Sequence, residues 1–231
     1  TDLYVPIPTL MYHDSLVRPT VVGDQFQVNG RRWVWRGVTD FRLLQRFIAG
    51  EDIRPLLRQR VAAGANLVRV VAMKANNTGW ELRSNYGPAL LHDFYNVLQR
   101  ERVYCEMTVF ADSRLLMPNP ATQQTFWQFL VTAAGMFPHI FVELVNEHGH
   151  GTQAINPRQF SPPSNGVLAS HGSRLTDEPP IQPTWHYATY HARRDAPPDS
   201  RGFTNYDSSE FEAVWPKPCP YIPDEGIKPR N

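Results

Sequence analysis

Short apolar runs alternate with longer amphipathic segments along much of the chain, and this alternation restricts the folds that are open to it. The runs NLVRVVAM, VYCEMTVF and IFVELV are almost continuously apolar, which is typical of strands buried on both faces. The segments between them place apolar residues at helical spacing, as Leu91, Phe94 and Leu98 do. This order predicts βα units, in which parallel strands are covered by helices.

Helix-starting and helix-ending residues mark three predicted helices, over residues 51–64, 88–102 and 120–137. In the first of them, acidic residues and Pro55 stand at the start and Gly64 at the end. A weaker helix is predicted around residues 208–214. Seven strands are predicted to start near Trp33, Leu67, Val103, Ile140, Val167, Thr184 and Tyr221.

The first residues of the chain differ from the rest. Residues 1–22 contain three prolines and no helical period, which predicts an extended arm or linker. Asn29-Gly30 favours a two-residue hairpin turn, and residues 33–38 after it form the first predicted core strand. Residues 23–231 are then expected to form one α/β domain of the (β/α)8 TIM-barrel type, without an eighth strand in this chain.

Composition and charge exclude several classes of partner. A net charge of +1 provides no basic surface for nucleic acid or an anionic membrane. No run reaches about 18 apolar residues, so no membrane span is predicted. Cys105 and Cys219 lack metal-type spacing and are expected as free thiols rather than a disulfide. His148 and His150 stand two apart, but no complete ligand signature surrounds them and no metal is expected.

Two carboxylates stand where predicted strands end. The fourth strand ends in Asn146-Glu147, and the seventh ends in Asp224-Glu225. Ligands bind at the carboxyl ends of the strands in parallel α/β barrels, so both carboxylates are expected at one mouth. A pair of this kind points to glycoside hydrolysis, in which one group protonates the leaving oxygen and the other attacks or activates water. Glu143 lies inside the fourth strand, where a buried charge needs a partner.

Three motifs, IFVELVNE, NGRRWVWRGV and AAGANLVRV, resemble motifs of the glycoside hydrolases of clan A, and most closely of the cellulase-like family five. IFVELVNE resembles the fourth strand of that family, which ends in Asn-Glu. NGRRWVWRGV is similar to its opening strand, and AAGANLVRV is similar to its second helix–strand junction. The resemblance covers about residues 24 to 228 and is weakest between residues 151 and 218.

The resemblance implies roles for four residues. Glu147 corresponds to the acid/base, and Glu225 to the nucleophile. Asn146 corresponds to the residue that holds the sugar 2-hydroxyl group. Arg69 would orient the nucleophile and keep it ionised.

Further substrate contacts are expected from residues at which the chain departs from the family pattern. His148 follows the acid/base where proline is usual, and Asp112 follows the third strand in place of a histidine-rich motif. The sixth strand places His186 and Tyr187 side by side, so either Tyr187 or Tyr190 could bond the nucleophile.

These features predict a retaining hydrolase that acts on a β-linked poly- or oligosaccharide without a cofactor. The alternative from another class is a non-catalytic glycan-binding or structural barrel, for example in an envelope or virion assembly. A transglycosylase would use the same residues. The sequence does not distinguish between glucan, mannan, xylan and other β-linked substrates. A secreted or extracellular location is expected. Because six residues follow Glu225, we also expect a longer product or a larger assembly that supplies the eighth strand.

Overall fold

A computed structural model describes residues 15–23, 25–75, 81–172, 185–190 and 221–223. An antiparallel sheet opens the fold and contains β1 (Thr20–Val22), β2 (Gln25–Val28) and β3 (Arg31–Arg32). Asn29 and Gly30, between β2 and β3, have φ of 53° and 71°. Positive φ at both positions is what a tight two-residue hairpin turn requires, so the predicted turn is confirmed.

The main sheet contains five parallel strands in chain order. They are β4 (Gly37–Thr39), β5 (Leu67–Val71), β6 (Tyr104–Phe110), β7 (Ile140–Val145) and β8 (Ala169–Ser170).

A second parallel pair follows, formed by β9 (Ala188–Tyr190) and β10 (Tyr221–Pro223). A parallel bridge between Ser170 and Tyr187 connects β8 to the start of β9. The predicted parallel α/β arrangement is confirmed, and closure into an eight-stranded barrel stays a prediction.

The helices are α1 (Leu43–Ile48), α2 (Arg54–Ala62), α3 (Pro88–Arg100), α4 (Ser113–Leu116) and α5 (Pro120–Gly135), and a 3-10 turn covers Pro157–Gln159. The three predicted helices correspond to α2, α3 and α5. Proline stands in the first turn of each, where a backbone N–H would make no intrahelical hydrogen bond, so its absence costs nothing. The helices α1 and α4 were not predicted, because four to six residues are too few to establish a helical period. Among the described helices, none has the length and apolar character needed to cross a membrane.

The predicted core strand over residues 33–38 is wrong in its extent, since β4 covers only Gly37–Thr39. The side chain of Asn66 explains the difference. Its Oδ1 accepts from the backbone N–H of Arg36 at 2.6 Å, and its Nδ2 donates to the carbonyl of Val34 at 2.9 Å. A side chain thus satisfies backbone groups that a neighbouring strand would otherwise pair with.

The two faces of the main sheet pack against different partners. One face packs against α2, α3 and α5 through residues such as Val68, Met107 and Val142. The opposite face packs on the first hairpin through an apolar cluster that we call the aromatic floor: Phe26, Trp35, Leu67, Tyr104, Phe141, Leu168 and Tyr187. Phe26 of β2 stacks on Phe141 with ring centroids 6.0 Å apart. The floor closes the end of the sheet at which the strands begin.

His139, which precedes β7, makes the stability of the fold depend on pH. Its Nε2 lies 3.0 Å from the carbonyl oxygen of Tyr95, and burial lowers the pKa of His139 to about 4. Since the carbonyl can only accept, Nε2 carries the proton and Nδ1 is bare in the neutral ring. A second proton would be placed on Nδ1, which has no hydrogen-bond partner among the described residues.

We expect His139 to reduce the free energy of unfolding by about 2 kcal/mol between pH 7 and pH 5. The unfolded chain takes up the proton below about pH 6.5, whereas the folded chain does so only below about pH 4. The contribution of His139 to the free energy of unfolding is therefore fully present above about pH 6.5 and is lost as the pH decreases to about 4. Urea unfolding at both pH values measures the loss, with His139→Gln as the matched variant because Gln can still donate to Tyr95. An equal loss of stability in both proteins would contradict this assignment.

Candidate active site

A buried ion pair joins β5 to β7 immediately above the aromatic floor. Arg69 is 2% exposed and Glu143 is fully buried. The Nε and Nη2 of Arg69 donate to Oε2 of Glu143 at 3.0 and 2.5 Å. Thr108 of β6 donates its hydroxyl to the same oxygen at 2.6 Å. The carboxylate of Glu143 is thereby held by three charge-assisted or hydroxyl hydrogen bonds, as a buried carboxylate requires.

Arg69 also reaches the residue that precedes the proposed acid/base. Its Nη2 donates to Oδ1 of Asn146 at 3.0 Å, one residue beyond the end of β7. The backbone N–H of Asn146 donates to the carbonyl of Phe110 at 2.9 Å, which extends the pairing of β6 with β7. Asn146 is therefore fixed both by its side chain and by its backbone. Since its amide oxygen is taken by Arg69, Nδ2 is the group of Asn146 that can donate to a ligand.

A second buried carboxyl group, Glu106, lies on β6 opposite Arg69. Its Oε2 is 3.6 Å from Nε of Arg69, and Oε1 accepts from the hydroxyl of Tyr187 at 2.7 Å. The Tyr187 hydroxyl lies 3.2 Å from the carbonyl of Val142 as well. Burial, followed by the charge of Glu106, raises the pKa of Tyr187 well above its usual value. Tyr187 is 1% exposed, so it lies beneath the site rather than at its surface.

Strand alternation explains why charged residues occur in such apolar strands. Successive side chains on a strand point to opposite faces, so Phe141 and Glu143 share the face that is turned away from the helices. On β6, Tyr104, Glu106 and Thr108 follow the same alternation. The aromatic residue contributes to the floor and the polar residues form the layer above it. The strands look continuously apolar because their helix-facing positions are apolar as well.

Glu147 follows Asn146 in a left-handed backbone conformation, with φ of 49°. Its carbonyl accepts from the N–H of His150 at 2.8 Å, which closes a turn directly after the strand. Its side chain is half-buried. Glu147 thus lies at what we call the carboxyl edge, the side of the main sheet where the strands end.

Asp112 lies at the same edge, beyond the end of β6, and also has a positive φ of 55°. It is 6% exposed, and its Oδ2 accepts from Nζ of Lys74 at 2.5 Å and from the N–H of Ala75 at 3.1 Å. Asp112 was predicted to contact substrate. The structure shows that Lys74, which the sequence did not single out, is its ionic partner.

A series of ring contacts begins at His148, the residue after Glu147. His148 is half-buried and meets His171 edge to face, with ring centroids 5.1 Å apart. His171 in turn meets Trp185 at 5.7 Å, and burial lowers the pKa of His171. The ring of His186 has a backbone role, because its Nδ1 accepts from the N–H of Ala169 at 3.1 Å. Burial lowers the pKa of His186 too.

Gly172, just after β8, permits a close approach to β7. Its φ is 95°, and a Cβ atom at this position would lie 1.9 Å from the carbonyl oxygen of Val145. Only glycine fits there. Its N–H donates to the hydroxyl of Ser170 at 3.2 Å, and Ser170 also accepts from Thr189 at 2.6 Å.

The structure therefore brings together Arg69, Asn146 and Glu147, with His148 and Asp112 at the same edge. Glu225 lies outside the described residues, and so does the side chain of Tyr190. Sequence reasoning missed several polar partners: Lys74, Glu106, Thr108, Ser113, Gln153 and Ser170. Of these residues, only Glu106 and Thr108 could have been found from the sequence, because they alternate with Tyr104 along one strand.

A metal centre is not found in the described part of the chain, and a cavity beside α5 lacks groups for proton transfer. Its His, Cys, Asp and Glu side chains form no group of three that could hold a metal ion. A cavity of about 370 Å³ lies between α5 and the loop of residues 159–165. Its lining is glutamine, serine, threonine, asparagine, proline, valine and one tryptophan, with no titratable side chain that could transfer a proton.

Comparison with known proteins gives agreement at the level of the fold. No protein-family model and no curated protein matches the sequence. A solved glycoside hydrolase is 13% identical with a TM-score of 0.59, over 91% of this chain and 56% of that one. A glycoside hydrolase of family 5 from Bacteroides vulgatus is 14% identical with a TM-score of 0.60, over 92% and 55%.

An endo-1,4-β-mannanase from Rhizomucor miehei is more distant, at 10% identity and a TM-score of 0.51, over 76% of this chain and 71% of the enzyme. The chain thus spans just over half the length of the first two proteins. At these identities the likeness concerns the fold and not the substrate. The described fold is one that glycoside hydrolases, including a member of family 5, also have.

Proposed function

We propose that this chain is the catalytic part of a retaining glycoside hydrolase that acts on a β-linked glycan. The observation that carries the proposal is the contact of Arg69 with both Glu143, in the buried layer, and Asn146, at the carboxyl edge. This contact fixes the amide of Asn146 next to a half-buried carboxyl group, Glu147. The fold shared with glycoside hydrolases supports the same conclusion.

The proposed reaction proceeds in two displacements. In the first, the carboxylate of Glu225 bonds to the anomeric carbon while the glycosidic bond breaks, and Glu147 gives its proton to the leaving oxygen. In the second, Glu147 takes a proton from water, the water oxygen bonds to the anomeric carbon, and Glu225 is released. Both groups return to their starting protonation states. This mechanism requires the two carboxyl groups to be about 5–5.5 Å apart.

Asn146 would donate from Nδ2 to the sugar 2-hydroxyl group, since Arg69 occupies its Oδ1. The proposal also includes contacts of the glycan with His148, His186, Tyr190 and the Asp112 region. Tyr187 is not proposed as a contact, because its hydroxyl is bound to Glu106 in the buried layer. A secreted or extracellular location would suit an enzyme whose substrate is a polysaccharide.

The test is the release of reducing sugar from a panel of β-glucans, β-mannans and β-xylans. The wild type is compared with the double variant Glu147→Gln, Glu225→Gln, which also controls for contaminating glycosidases. Cleavage of at least one polymer by the wild type alone, with the anomeric configuration retained in NMR spectra, supports the proposal. Inversion would contradict the two-step mechanism. Binding of a polymer without any cleavage would instead identify a non-catalytic glycan-binding module.

A further inference from the structure

We propose that Gln153 is a positioning residue for Glu147, because it locks the peptide bond between Asn146 and Glu147. Gln153 lies in the loop after β7 and is 5% exposed. Its Nε2 donates to the carbonyl oxygen of Asn146 at 2.9 Å. The inference rests on the proposed role of Glu147 as acid/base, and it adds a residue that controls where that carboxyl group stands.

The hydrogen bond acts on the peptide unit that sets the direction of Glu147. The N–H of Asn146 is held by the last pairing of β7 with β6, through Phe110. The carbonyl of Asn146 belongs to the next peptide unit, which ends at the nitrogen of Glu147. Gln153 is the side chain that holds this carbonyl. Together the two bonds fix both backbone groups of Asn146.

The other end of the Gln153 amide is anchored to the segment after β6. Its Oε1 accepts from the hydroxyl of Ser113 at 2.9 Å and lies 3.4 Å from the N–H of Ser113. The Ser113 hydroxyl accepts from the N–H of Ala154 at 2.9 Å. The carbonyl of Asn146 can only accept and the N–H of Ser113 can only donate, so the amide has one possible orientation. Ser113 is fully buried, which removes water as a substitute partner.

Glu147 needs this support because its conformation is strained. A φ of 49° is unfavourable for a residue with a Cβ atom and persists only where the surroundings impose it. If the Asn146 carbonyl were released, rotation about the N–Cα bond of Glu147 could relieve the strain and take the residue to the ordinary negative φ region. The side chain would then leave the carboxyl edge. Strained residues of this kind occur where function requires a particular side-chain direction.

Position matters most for the step in which Glu147 transfers a proton. A misplacement of about 1 Å can lower a rate by about 10²-fold. A glycoside with a poor leaving group depends on the proton from the acid, whereas an activated aryl glycoside depends on it much less. A defect in the position of Glu147 should therefore lower kcat/KM, which reports the first displacement, strongly for the first substrate and little for the second. A general loss of stability would affect both substrates equally.

The matched control is Gln123, a second buried amide that is 1% exposed. Its Nε2 donates to the carbonyls of Met117 and Ala154 at 2.8 and 3.2 Å, in the same region of the fold. Gln153→Met and Gln123→Met each remove one amide of this kind and keep the side-chain length. We expect both variants to lower Tm. Only Gln153→Met should lower kcat/KM on the poor leaving group, by about 10²-fold, with less than about 3-fold loss of kcat/KM on the activated substrate.

Ser113→Ala provides a second variant in case Gln153→Met does not fold, since it removes the hydroxyl that holds Oε1 of Gln153 and accepts from the N–H of Ala154 but keeps the Gln153 amide. Its loss of kcat/KM should also be larger on the poor leaving group than on the activated one, but by a smaller factor than in Gln153→Met. Equal losses on both substrates in Gln153→Met and Gln123→Met would overturn the inference.

A crystal structure of Gln153→Met gives a readout that does not depend on activity. A negative φ at Glu147 is expected, and a φ that remains near its wild-type value would overturn the inference. If the wild type cleaves no glycoside, the proposed function fails, and the crystal structure still decides whether Gln153 holds Glu147.

Discussion

Replacement of Glu147 by Gln is expected to lower kcat by about 10³-fold for a β-glycoside with a poor leaving group. Gln cannot donate a carboxyl proton, so the leaving oxygen would depart as an alkoxide. On an activated aryl glycoside, bond cleavage needs no acid and the covalent intermediate should accumulate, because no base activates water. Azide, which needs no base, should then restore turnover. Steady-state and burst-phase kinetics with and without azide measure these effects.

The matched variant is Glu225→Gln, which removes the proposed nucleophile. It should be inactive on both kinds of substrate and should not form a burst. If azide gives no rescue to Glu147→Gln, or if the two variants behave alike, Glu147 is not the acid/base. Unchanged Tm in both variants would show that the losses arise from chemistry rather than from unfolding.

Replacement of Arg69 by Met is expected to lower the free energy of unfolding by about 3–5 kcal/mol. Arg69 is the cation between Glu106 and Glu143, and both carboxyl groups are fully buried. Met fills a similar volume but removes the positive charge that Arg69 brings to both carboxyl groups. Urea unfolding at pH 7 measures the loss. Glycosidase activity should decrease as well, because the amide of Asn146 would lose its fixed orientation.

A double-mutant cycle separates the ion pair from packing. Glu143→Gln added to Arg69→Met should cost less than the sum of the two single changes, since it removes the buried negative charge that Arg69 pairs with. Arg58→Met is the surface control: Arg58 pairs with Glu101 at 2.8 Å, but its side chain is 66% exposed. This variant should change stability little. Additive effects in the cycle would contradict the coupling between Arg69 and Glu143.

The positions of the strands along the chain could be predicted from the sequence because they depend on hydrophobic patterns. IFVELV and VYCEMTVF are bounded by helices with proline in the first turn, and these local signals agree with one another. The strand over residues 33–38 was predicted wrongly because a side chain 30 residues further on, Asn66, holds the backbone at Arg36. Local patterns carry no information about such a contact.

The partners of the charged residues could not be predicted in the same way. Arg69 and Glu143 are 74 residues apart, and they meet because of the registers of β5, β6 and β7. Each strand could be identified, but a one-residue change of register would move every side chain to the other face. Gln153 lies in a loop with no periodicity, so its contact with Asn146 depends on the loop's path. The positions of Glu147 and Asn146 at a strand end, by contrast, followed from the sequence.

The aromatic floor has an electrostatic consequence that extends beyond the residues it contains. Phe26 stacks against Phe141 beneath the layer of Arg69 and Glu143, and it is fully buried. Apolar rings without orientable dipoles therefore border the ions on one side, which keeps the local permittivity low and strengthens each ionic contact. Through the packing of Phe26 on Phe141, the first hairpin helps to set the potential in which Arg69 and Asn146 interact. A polar side chain at Phe26 would weaken the site at a distance by admitting solvent polarisation from below.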